Sequence, residues 1–191
     1  MTHSQIFGEF LDPVPASEEY LTLHFSLGST PRKQRWSNYG LSADFLGDYF
    51  AAFFPGDAVA DSAINRRDTV KAAVSYIANE LIENAVKYGD ESANLPITIT
   101  LYLYEKTLIF EVRNPTQRSR AEQYQAFIQE LLSSDLDEFY TRQIEKTALG
   151  EGGSNLGVLT MINDYGAKFG WKFETIGEET AQVTVLVYLE V

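Results

Sequence analysis

The chain has 191 residues, 45% of them hydrophobic and 22% charged, the length and balance of one folded domain with a full-sized core. Its formal net charge of -12 opposes phosphate backbones and anionic bilayers, which argues against general nucleic-acid binding and against membrane adsorption. It contains no cysteine, which excludes disulfides, thiolate metal sites and cysteine nucleophiles and is compatible with a reducing cytoplasm, the expected location.

The first residues, MTHSQIFGEFLDPVP, have no basic n-region followed by an apolar run, so no secretory signal is expected. No apolar stretch is long enough to span a bilayer. The first predicted element is EYLTLHFSL (19–27), which alternates and is rich in β-formers, as a strand does. STPRKQRWSNYG reads as a connection, with proline, glycine and a basic cluster of Arg32, Lys33 and Arg35. LSADFLGDYFAAFF (41–54) has Ser42 as an N-cap candidate and Phe45, Tyr49, Ala52 and Phe53 at helical spacing.

Residues 66–90 carry the clearest helix. Val70, Ala73, Val74, Ile77, Leu81, Ala85 and Tyr88 recur with the 3.6-residue period, and Gly89 offers a stop. PITITLYLYE (96–105) and TLIFEVRNP (107–115) alternate and lie close enough to pair as an antiparallel hairpin. Residues 119–150 read as two helices parted near Ser133-Ser134. GEGGSNLG (150–157) is a glycine-rich loop that runs into a further helix, and strands near 170–176 and 181–190 close the chain. This order predicts a two-layer α/β sandwich: one mostly antiparallel, mixed sheet with helices on one face. A single domain is expected, with 1–65 as an N-terminal extension and 66–191 as the motif-bearing core.

The long helix has one odd edge. With Val70 at zero and about 100° per residue, Asn84 lies about 40° to one side of the apolar stripe. Glu80 and Lys87 lie further in the same direction. A carboxylate, an amide oxygen and an ammonium thus face one space, a set suited to magnesium-nucleotide chemistry. On this helix alone, the plainer account is a pair of solvated flanks and an Asn bonded to a nearby loop. The glycine loop is equally ambiguous by itself: its N–H groups and the helix N-terminus suit a phosphate, but surface turns of this composition are common.

Together these segments resemble a known superfamily. NELIENAVKYG is similar to the N box of the GHKL, or Bergerat-fold, ATPases, and GGSNLGVLTMI to their second glycine box. The hairpin ending in FEVRNPT sits where the first glycine box belongs. The superfamily includes histidine-kinase catalytic domains, type II topoisomerases and the anti-sigma-factor serine kinases. The inserted helical pair before GGSNLG looks most like SiaB-like and cyanobacterial regulators of partner-switching pathways.

The resemblance implies roles residue by residue. Asn84 matches the asparagine that ligates Mg2+, and Glu80 the general base. Lys87 and Tyr88 match positions bordering ATP; Gly153, Leu156 and Gly157 match the loop over its phosphates. Asn114 stands where the superfamily has an aspartate that receives the adenine amino group, and Pro115 follows it; Asn155 stands where a glycine is usual. An asparagine oxygen accepts a hydrogen bond without charge. The implied activity is that of an anti-sigma-type protein serine/threonine kinase. Its substrate would be a small STAS-like antagonist, a sigma factor or other effector would be a further partner, and a homodimer is a common state among such proteins. The changed boxes suit a second reading, a non-catalytic module that sequesters a regulatory protein. A histidine kinase is disfavoured, since His3 and His24 lie in the N-terminal tail and in a predicted strand.

Overall fold

The computed structural model describes residues 4–26, 32–54, 65–149 and 155–191, with side chains of the second segment from Asn38 onward. Its six strands are β1 (Ser4–Gly8), β2 (Glu19–Phe25), β3 (Ile97–Leu103), β4 (Thr107–Gln117), β5 (Lys168–Thr175) and β6 (Thr180–Glu190). They form one sheet in the order β1-β5-β6-β4-β3-β2. Every pairing is antiparallel, so the sheet has no parallel member. The helices are α1 (Arg32–Ala51), α2 (Arg66–Tyr88), α3 (Arg118–Ser133), α4 (Leu136–Ala148) and α5 (Leu156–Tyr165).

Alternation along the strands sends one set of side chains to the helices. Ile97, Ile99 and Leu101 of β3, Leu108, Phe110 and Val112 of β4, and Val183, Val185 and Val187 of β6 are all buried there. Trp171 and Phe173 extend the same surface along β5. The α2 stripe meets it with Val70, Val74, Ile77, Leu81 and Ala85, and α1 adds Leu46 and Phe50 to the same hydrophobic cluster. This is the expected two-layer α/β sandwich with its helices on one face. No described helix is long and apolar enough to cross a membrane.

Two boundaries differ from the sequence reading, and one agrees with it in position. The edge strand β1 was not expected; its five residues are mostly exposed and carry no strong alternation. Helix α1 begins at Arg32, so Ser42 lies inside it and its hydroxyl donates back to the Asn38 carbonyl at 2.8 Å instead of capping. Gly89 does end α2, but in an extended conformation (φ -62, ψ 145) that bridges to Thr116.

The chain from β1 to β2 must pass from one edge of the sheet to the other. It does so over the helix-free face. The Glu9 N–H donates to Phe169 O at 2.8 Å. Asp12 pairs with Lys172 at 2.7 Å, the Tyr104 hydroxyl donates to Pro15 O at 2.6 Å, and the Ser17 hydroxyl donates to Leu103 O at 2.6 Å. Gly170 makes the close crossing feasible, since a Cβ there would strike the Glu9 carbonyl. On the same face, buried Glu111 accepts from Arg113 Nε at 3.0 Å and from the Tyr102 hydroxyl at 2.9 Å.

Candidate functional site

The C-terminal half of α2, the strands β4 and β6 and the first turns of α3 border one space. The result is a cavity of about 410 Å³. The α2 end is pinned beside it: the Thr116 hydroxyl donates to Tyr88 O at 2.7 Å, and the Asp90 N–H donates to Pro115 O at 2.8 Å. Apolar walls come from Val112, Val183 and Val185, while the polar side chains enter from the helices and the end of β4.

Five of the residues singled out from the sequence line this cavity: Asn84, Lys87, Tyr88, Asn114 and Asn155. Asn84 is half-buried, and among the described residues its amide has no hydrogen-bond partner. Lys87 is exposed, with Nζ 5.0 Å from the centre of the Tyr88 ring. Asn114 is only 6% exposed; its one hydrogen bond, from Nδ2 to Pro115 O, is 3.5 Å long, at the outer limit of such a contact. Asn155 is the N-cap of α5 but makes no side-chain capping bond.

Glu80 and Gly157 meet beside the cavity lining. The Glu80 carboxylate lies so close to Gly157 that a Cβ there would collide with it. Burial, and secondarily the charge of Glu83, holds the Glu80 carboxyl above the ordinary carboxylate range. Tyr76 and Tyr165 stack at 5.1 Å and fix the spacing of α2 and α5 at this point. Leu156 is half-buried against the hydrophobic cluster. Gly153 lies outside the described residues.

The strand read over 107–115 runs on to Gln117. Asn114, Pro115 and Thr116 continue the β4–β6 ladder opposite Val183, Gln182 and Ala181. Pro115 is tolerated because β3 has ended by Arg113. The Pro115 carbonyl faces the Gly89–Asp90 turn, and its nitrogen faces the same side, so no β6 bond is lost.

Three basic residues close in sequence, Arg113, Arg118 and Arg120, are divided by the strand-to-helix junction. Arg113 pairs with Glu111 on the opposite face of the sheet, Arg118 pairs with Glu122, and Arg120 lines the cavity. Among the described residues, neither Lys87 nor Arg120 is ion-paired with a carboxylate. Among the described residues, no Asp or Glu lines the cavity.

From α3, Gln123 and Tyr124 line the cavity with Arg120, and sequence reasoning had singled out neither Gln123 nor Tyr124. The Tyr124 hydroxyl accepts from Trp171 Nε1 at 3.0 Å, and burial pushes its pKa up to about 12, so it stays a neutral phenol. The only sequence hint was that α3 starts directly after β4, with no linker to carry its first turn elsewhere.

No family model matches this chain, and no curated protein does. Among solved structures, the chain is similar to a chain in the crystal structure of the SiaB–SiaC complex from Pseudomonas aeruginosa. The sequence identity is 14% and the TM-score 0.58, with 87% of this chain and 89% of that chain covered. At that identity, what the two chains demonstrably share is the fold.

Proposed function

We propose that the cavity binds ATP with Mg2+ and that the protein is an anti-sigma-factor-like serine/threonine kinase acting on a small antagonist protein in a partner-switching pathway. One observation carries the reading: among the described residues, the cavity lining holds no carboxylate and has two cations, Lys87 and Arg120, without acidic partners. Such a cavity favours an anion. Its volume suits a small-molecule ligand. The similarity to a chain from a two-protein complex accords with a protein partner.

Each residue then has a role. Lys87 and Arg120 attract phosphate oxygens at the mouth. Asn84 offers one unengaged amide oxygen; that suffices for a magnesium ion that takes its remaining oxygens from phosphates and water. Bound magnesium would supply neutralisation of phosphate charge. Glu80, with its raised proton affinity, accepts the proton of the incoming hydroxyl. Transfer of this kind depends on positioning and electrostatics, so few side chains are needed.

ATP titration by calorimetry, with and without magnesium, tests the site on wild type and Asn84→Ala. Magnesium-dependent binding lost in the variant is the expected result; equal binding by both refutes the assignment. The unbroken strand at Asn114–Pro115 favours a second reading, a non-catalytic module that sequesters a regulatory protein. Labelled ATP, the protein encoded by the neighbouring gene, and wild type against Glu80→Ala separate the two. Tight ATP binding without phosphotransfer selects the module.

A further inference from the structure

The cavity is polar at the mouth and apolar within. Lys87 and Arg120 are exposed, whereas Asn114 is buried at the end of β4 beside Val112, Val183 and Val185. A flat apolar ring with a polar edge fits the inner part, and its charged group fits the mouth. This polarity gives Asn114 the polar edge of a bound base.

Asn114 is an unusual reader. A carboxylate at this position would only accept hydrogen bonds. An amide presents an acceptor and a two-proton donor, exchanged by a half-turn of the side chain. Here the half-turn trades one long contact for another, setting Oδ1 where Nδ2 faced the Pro115 carbonyl. Nδ2 has only the 3.5 Å contact with Pro115 O, and among the described residues no donor reaches Oδ1. The neighbouring Thr116 hydroxyl does not compete, because it is committed to Tyr88 O at 2.7 Å.

We propose that Asn114 makes this cavity accept purine nucleotides bearing either an amino or an oxo group at the 6-position, with little discrimination between them. With Oδ1 inward it accepts from a 6-amino group. With Nδ2 inward it donates to a 6-oxo group. The inference rests on the nucleotide-binding reading above and deepens it.

The test compares ATP with inosine triphosphate, which differs from it at the 6-position and the adjoining N1 and lacks the extra 2-amino group of guanine. Affinities are measured by calorimetry with magnesium on wild type and Asn114→Asp. Wild type should bind the two within about ten-fold of each other, since the half-turn gives up a marginal hydrogen bond and sets two oxygens no closer than that long contact. Asn114→Asp should widen the ratio in favour of ATP by at least about ten-fold, because a carboxylate facing a 6-oxo group has no proton to offer. A wild-type preference for ATP above ten-fold overturns the proposal, as does an unchanged ratio in a folded Asn114→Asp. The wild-type ratio decides alone if the variant fails to fold. Binding of neither nucleotide refutes the nucleotide reading itself, an outcome distinct from tight, selective ATP binding.

Discussion

The Glu80 carboxylate of α2 occupies the space that a side chain on Gly157 of α5 would need. Gly157→Ala therefore displaces the carboxylate and leaves the fold in place. The Ala methyl meets the far end of a flexible side chain, which can swing aside, and Ala is the better helix former by up to about 1 kcal/mol. We expect an unchanged or slightly raised melting temperature with phosphotransfer reduced by at least about ten-fold through misplacement of the base. Undiminished phosphotransfer would remove Glu80 from the proposed base role.

Glu80 also sets a pH dependence of stability. Its carboxyl is raised by burial and then by Glu83, so folding favours its protonated form. That contribution is complete below the unfolded-state pKa and is lost as pH rises through the higher folded-state value. At neutral pH the ionised group therefore works against the fold. Glu80→Gln should melt above wild type at neutral pH, with the gain shrinking towards zero as pH falls through and below the carboxylate range. The same variant should keep nucleotide binding and lose phosphotransfer. A wild type that melts higher at neutral pH would contradict the dominance of burial.

Lys87 and Arg120 make separate contacts with the ligand anion. Alanine at either position should weaken ATP binding by about three- to ten-fold. Adenosine, which has no phosphate, should bind the variants and wild type alike. Added salt should narrow the difference, as it does for exposed charges. Equal losses for adenosine and ATP would mean that the two side chains shape the cavity and do not attract the charge.

Tyr124→Phe tests the floor beneath α3. Trp171 is 1% exposed, and its indole N–H has the Tyr124 hydroxyl as acceptor. Removing that acceptor strands a buried donor and should cost about 1–3 kcal/mol in urea denaturation. The loss should be flat across neutral pH, since the phenol is pushed up to about 12. A variant as stable as wild type would show that water replaces the phenol.

What the sequence disclosed depended on how periodic each element is. The α2 stripe and the β3–β4 hairpin were readable because nearly every second or third residue is committed to the core. Strand β1 was not, because SQIFG is an edge segment whose place is fixed by pairing with β5, about 165 residues away. The start of α1 was hidden behind Pro31 and Gly40, read as loop signals; yet Tyr39 beside them is buried against Phe25. At the site, the α2 residues Asn84 and Lys87 were legible from helix geometry. Tyr124 and Thr116 were not, since only the register of β4 with β6 and the launch of α3 bring them to the same cavity.

The segment that crosses the helix-free face places both borders of the sheet, β1 and β2, within the first 25 residues, while the strands between them come from the remainder of the chain. A ribosome thus delivers the sheet's borders before its middle. β1 has nothing to pair with until β5 has been made, so the sheet cannot be completed by hairpins added in order of synthesis. Such long-range pairing slows folding. In pulse-labelled refolding, the β1 amides should gain protection no earlier than those of β5; earlier protection would mean that the N-terminal segment first settles somewhere other than its final partner.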